Sequence, residues 1–90
     1  RQCAAHITTK PVAFCVSALS DQVWFGSRDE IVVVDPTTFK CVGEVRGYHT
    51  NSVFALLPTR TTDGRTFVWS GSFDLSVCVW GVDPLPPKLL

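Results

Sequence analysis

The sequence contains no methionine, a single tyrosine and no surplus of either charge, since 8 lysines and arginines face 8 aspartates and glutamates. Neutrality removes the long-range field that draws a protein to nucleic acid or to an anionic membrane, so neither is an expected partner. Long apolar runs are missing as well. Residues 31–34 form one of the longest, against the ~20 residues that a membrane-spanning helix requires. The N-terminus has no apolar core followed by a small-residue cleavage site, which argues against a signal peptide. With no initiator methionine, the chain reads as a piece of a longer protein.

Paired metal ligands are also lacking. Cys3, Cys15, Cys41 and Cys78 stand singly, no Cys-x-x-Cys occurs, and His6 is far from His49. A zinc site wants ligands two to four residues apart, so no metal or other cofactor is expected. The cysteines read as buried free thiols in a reducing compartment, which implies an intracellular and cytoplasmic protein. An immunoglobulin-like sandwich bridged by Cys15 and Cys78 around Trp24 lacks the tyrosine two residues before the second cysteine, where Ser76 stands,. Catalytic signatures are equally scarce: there is no Gly-x-Ser-x-Gly and no glycine-rich phosphate loop,. His49 and Asp74 could serve as a base and its orienting group, but structural capping explains both more simply. Asp29 and Glu30 adjoin a turn and read as fold and solvent residues. The chain is not expected to be an enzyme.

What is present is extended chain with turn punctuation. Residues 66–69 and 76–80 are rich in Val, Phe and Trp, which favours strands, and they flank Ser70-Gly71-Ser72-Phe73-Asp74,. There Gly71 permits close backbone approach, and the Asp74 carboxylate can accept amide hydrogen bonds to hold a tight bend. The pattern repeats. Val23-Trp24-Phe25-Gly26-Ser27-Arg28-Asp29 matches Val68-Trp69-Ser70-Gly71-Ser72-Phe73-Asp74, at a separation within the ~40–45 residues of one repeat class. Residues 30–35 and 75–80 are expected to continue in that register, so Asp35 matches Trp80. Upstream, Val12 matches Val53, and the second copy carries a polar insertion over 59–65 that includes Asp63-Gly64, a strong turn signal,. Asp35-Pro36 begins a turn into a fourth strand over 39–45, and residues 2–7 compare with that strand. Pro84, Pro86 and Pro87 cannot donate to a ladder, so pairing is expected to stop near Val82.

The order His49, first strand, Ser70-Gly71-Ser72-Phe73-Asp74, then Trp80 at the end of the third strand resembles one blade of a WD-repeat β-propeller. The resemblance implies an all-β fold of four-stranded antiparallel blades, here a fragment of a larger propeller. It also implies a structural tetrad of His49, Ser70, Asp74 and Trp80, in which the imidazole, hydroxyl and indole surround a carboxylate. Tyr48 stands where the family has Gly before His, and Gly81 where it has Asp after Trp. The first copy is degenerate, with Phe25 for the serine, Asp35 for the tryptophan and only Asp29 kept. The chain then divides into residues 1–8, the outer strand of a neighbouring blade; 9–47, a degenerate blade; 48–83, a typical blade without its outer strand; and 84–90, a Pro-rich tail or linker. Two blades cannot close on themselves.

The function that the resemblance implies is a non-catalytic protein–protein interaction scaffold within a larger intracellular protein or complex. Two alternatives stay open: a propeller segment of a multidomain enzyme whose catalytic domain lies elsewhere, and a self-assembling ring module. Arg28 and Phe73 precede the turn aspartates, and Tyr48 and Asn51 lead into the second copy. These four are the candidate partner-binding residues, because aromatic and Arg side chains dominate interface hot spots. The expected partners are proteins and the remaining blades, whether in the same chain or in other copies.

Overall fold

The computed structural model describes residues 13–19, 21–82 and 87–90. The strand expected over residues 2–7 and the partner expected for Val53, Val12, lie outside these. The described residues form two antiparallel four-stranded meanders. Sheet one contains β1 (Cys15–Ala18), β2 (Val23–Gly26), β3 (Glu30–Val34) and β4 (Cys41–Arg46). Sheet two contains β5 (Val53–Arg60), β6 (Thr66–Ser72), β7 (Val77–Gly81) and β8 (Lys88–Leu89). The fold is all-β, and no helix among the described residues is long and apolar enough to cross a membrane.

Three expectations need correction. Pairing in sheet two does not end at Val82, because β8 sets Leu89 opposite Trp80 and Lys88 opposite Gly81. The Leu90 amide also donates to the Val79 carbonyl at 2.9 Å. Proline removes donors only up to residue 87; from Lys88 onward each amide can pair again, so the second sheet has an outer strand of its own.

The third strands do not keep a common register. Phe25 faces Val32 and Val23 faces Val34, whereas Ser70 faces Cys78 and Val68 faces Trp80. The counterpart of Trp80 is therefore Val34, not Asp35. The β6–β7 turn is one residue longer than the β2–β3 turn, and the lengthened turn contains Leu75, a fully exposed residue at φ 70°. The first strands slip too. Cys15 faces Gly26 and Ala55 faces Gly71, while matching Val12 to Val53 would set Cys15 against Leu56. A bulge between Val53 and Ala55 absorbs the extra residue, Phe54,.

The sheets meet through one face each. Alternation along the strands puts Cys15, Trp24, Gly26, Ile31 and Val33 on the inner face of sheet one, and Leu56, Val68, Ser70, Cys78 and Trp80 on that of sheet two,. Trp24, Val33, Val53 and Val68 are fully buried, and Trp80 is nearly so. They form one apolar cluster with Ile31 and Val82. Gly26 sets how closely the sheets approach: a Cβ there would lie 2.7 Å from Val53 Cγ1 and 3.0 Å from the Val53 carbonyl oxygen. The strand cannot easily retreat, because the Val53 amide donates to the Ser27 carbonyl at 2.7 Å. Gly26→Ala should therefore cost roughly 1–3 kcal/mol by overpacking, measured by urea denaturation. An unchanged unfolding midpoint would contradict this packing.

Candidate functional site

The second sheet brings His49, Ser70, Asp74 and Trp80 together in a single hydrogen-bonded chain. His49 lies within the β4–β5 loop, Ser70 lies within β6, Asp74 sits in the β6–β7 turn and Trp80 is near the end of β7. His49 Nδ1 is 3.0 Å from Asp74 Oδ2, His49 Nε2 is 2.7 Å from Ser70 Oγ, and Trp80 Nε1 is 2.8 Å from the same Oγ. The chemistry fixes the direction of each bond. A carboxylate only accepts and an indole N–H only donates. His49 Nδ1 thus donates to Asp74 and Ser70 Oγ accepts from Trp80, and in the neutral imidazole the Ser70 hydroxyl donates to Nε2.

Further donors crowd Asp74. The amides of Thr50 and Ser76 donate to it at 2.8 and 2.9 Å, and the Ser76 hydroxyl makes a third bond. The Ser76 hydroxyl, the Thr50 amide and His49 together hold the Asp74 carboxyl well below the usual carboxylate range, against the opposing effect of burial,. Ser76 was not singled out from sequence, although Asp74-Leu75-Ser76 is a spacing at which an Asp side chain bonds the backbone two residues on.

An Asp–His–Ser line of this geometry resembles the wiring of a serine nucleophile, but Ser70 cannot act as one. It is fully buried, and its oxygen already accepts the Trp80 indole N–H. These bonds tie the β4–β5 loop, β6, the β6–β7 turn and β7 to one another. Among the described residues every buried side-chain nitrogen and oxygen has a hydrogen-bond partner, and no group of three His, Cys, Asp or Glu could hold a metal ion. Cys15, Cys41 and Cys78 are free thiols, and burial pushes those of Cys15 and Cys78 up.

Sheet one has no such chain. Asp29, expected to be its surviving member, is exposed. Glu30 takes the place of Ser76, since the Ser27 amide donates to the Glu30 carbonyl as the Ser72 amide does to that of Ser76. The Glu30 side chain is buried and pairs with Arg46 at 2.6 Å. Trp24 donates to Gln22 Oε1 at 2.9 Å, and Gln22 Nε2 in turn donates to the Val82 carbonyl at 3.3 Å. Neither pair was anticipated: Glu30 and Arg46 meet only through the β3–β4 register, and Gln22, two residues before Trp24, carries no motif in the sequence.

The four candidate contact residues lie in the loops at one end of the sheets. The β4–β5 loop is bonded to both neighbouring turns, through the Val53 amide to Ser27 O and the Phe73 amide to Ser52 O. Arg28 is exposed, and Phe73 is 63% exposed. Phe73 also stacks on Phe54 with ring centroids 4.7 Å apart, a partner unnoticed in the sequence. Tyr48 is exposed but lays its ring edge-to-face on Trp80 at 5.3 Å, so it covers the end of the buried chain. Asn51 is held locally, its Oδ1 accepting the Ser52 amide at 2.7 Å and its carbonyl accepting Ser72 Oγ at 3.1 Å.

The chain matches no protein-family model and no solved structure. It is similar to the Rho GTPase-activating protein gacL of Dictyostelium discoideum, with 29% identity over 70 residues that cover 73% of the chain and 10% of that protein. The chain spans about a tenth of the length of the curated relative it matches.

Two outcomes test the site. Ser70→Ala should cost about 1–3 kcal/mol by stranding the indole and the imidazole, measured by denaturant unfolding. The Asp74 pKa is depressed, so its contribution to stability is complete above the unfolded aspartate value of ~3.9 and is lost as pH falls below it. Melts from pH 7 down to pH 2 should therefore show wild type and Asp74→Asn converging in acid. A gap that stays constant or widens would contradict the hydrogen-bonded carboxylate.

Proposed function

We propose that the chain is a section of a WD-repeat β-propeller, two consecutive blades that act as a non-catalytic scaffold for protein partners inside a larger intracellular protein. The observation that carries this reading is the His49–Ser70–Asp74–Trp80 chain beneath the loops. It spends four polar side chains on holding a loop and a turn in place, which is what a surface meant to present fixed side chains requires. Above it sit Phe73 and Arg28, with Asn51 and Tyr48 on the same end. Free thiols at Cys15, Cys41 and Cys78 support a reducing, cytoplasmic compartment. The similarity to a tenth of a Rho GTPase-activating protein favours a second reading, in which this section belongs to a multidomain regulator of a GTPase whose active domain lies outside these residues.

Phe73→Ala and Arg28→Ala should leave the melting temperature nearly unchanged and lower the yield of bound proteins in quantitative affinity capture from cell extract. Identical captured sets for the wild type and both variants would count against these loops as the binding surface.

A further inference from the structure

Among the described residues each sheet packs one face against the other sheet and turns its second face away from it. The strand registers show what these second faces match. On sheet two, Leu57, Trp69, Gly71, Val77 and Val79 occupy the positions that Ser17, Trp24, Gly26, Ile31 and Val33 occupy on the covered face of sheet one. Tryptophan, glycine and β-branched residues thus recur in the same places. Trp24 is fully buried, yet Trp69 is 43% exposed, Leu57 59% and Val77 63%. Gly71 repeats the gap through which Gly26 admits a neighbouring strand, and a Cβ there would meet nothing nearer than Phe54 at 3.7 Å.

The complement exists on the same chain. Sheet two meets sheet one through Leu56, Val68, Ser70, Cys78 and Trp80. The equivalent positions on the other face of sheet one are Val16, Val23, Phe25, Val32 and Val34, all of them apolar; Val16 is exposed, Val23, Phe25 and Val32 are half-buried, and Val34 at the strand end is buried. The second face of sheet two is therefore suited to the second face of sheet one.

We propose that the second face of sheet two docks the second face of sheet one from another copy of this chain, head to tail, repeating between chains the interface already made within one. The two patches differ, so the contact is heterologous and propagates until rotation closes a ring. Rings of such sheets contain about four to eight, so closure takes about two to four copies. The inference rests on the propeller-section reading for ring closure, and on the face equivalence alone for the pairing.

The test uses the 90-residue chain, 9.9 kDa, in light scattering coupled to size exclusion, with circular dichroism to verify folding. Leu57→Lys with Val77→Lys blocks sheet two, and Val16→Lys blocks sheet one; all three positions are exposed. The wild type is expected at about two to four times the monomer mass and each blocked variant at 9.9 kDa. Mixing the two variants should give a 1:1 heterodimer and nothing larger, since each retains one competent face. A wild type that stays monomeric, or a mixture without heterodimer, overturns the proposal but leaves the propeller section intact, because other sheets in the same polypeptide could cover both faces. Assembly abolished by the sheet-two variant and untouched by Val16→Lys would mean pairing through like faces, and would overturn the propeller reading with it.

Discussion

A carboxylate that gives up water persists in a folded chain only where donors replace the water it lost. Asp74 meets this condition with two amides, a hydroxyl and an imidazole, and the rest of sheet two is arranged around the need. His49 must keep its place in the β4–β5 loop, Ser70 must point inward from β6, and Trp80 must bring its N–H to Ser70. Each of these residues comes from a different element, so satisfying one charge fixes the relation of a loop, a turn and two strands. The apolar cluster explains why the sheets stick together. The polar chain explains why their loops hold one arrangement, since a half-satisfied network would cost more than none.

Sheet one solves the same geometric problem by other means. Where sheet two has Ser70 and Trp80, sheet one has Phe25 and Val34, which offer no hydrogen bonds. Its polar stapling consists instead of Glu30 with Arg46 and Trp24 with Gln22. A shorter turn goes with this: the chain bends from Ser27 to Glu30 through Arg28 and Asp29, both exposed, with no counterpart of Leu75. The two sheets keep the same strand order while sharing few polar contacts.

Much of this was legible in the sequence, and what was missed shares a cause. The all-β class and the two copies follow from side-chain types at fixed spacings, whereas the conjunction of His49, Ser70, Asp74 and Trp80 was implied by the resemblance to a WD-repeat blade. Failures occurred where one residue changes a count. Phe54 in the bulge and Leu75 in the turn each displace a register by one position, and a one-residue displacement in a strand moves every side chain to the opposite face. That is how Asp35, rather than Val34, came to be matched with Trp80. The outer strand β8 was missed for a related reason: two residues beyond a proline cluster carry almost no periodic signal. Contacts such as Phe54 on Phe73 depend on those displacements and were out of reach.

The central claim is that Asp74 and His49 hold Ser70 so that it captures the Trp80 indole within the interior. Hydrogen exchange of the tryptophan side chains in a nitrogen-15-labelled sample tests it most directly, since each indole N–H gives its own signal. The account predicts that the Trp80 indole exchanges as slowly as the most protected β6 and β7 amides, and that Ser70→Ala speeds it selectively while the Trp24 indole, bonded to Gln22, is unaffected. A Trp80 indole that exchanges in the wild type at the rate of a solvent-exposed one would contradict the account.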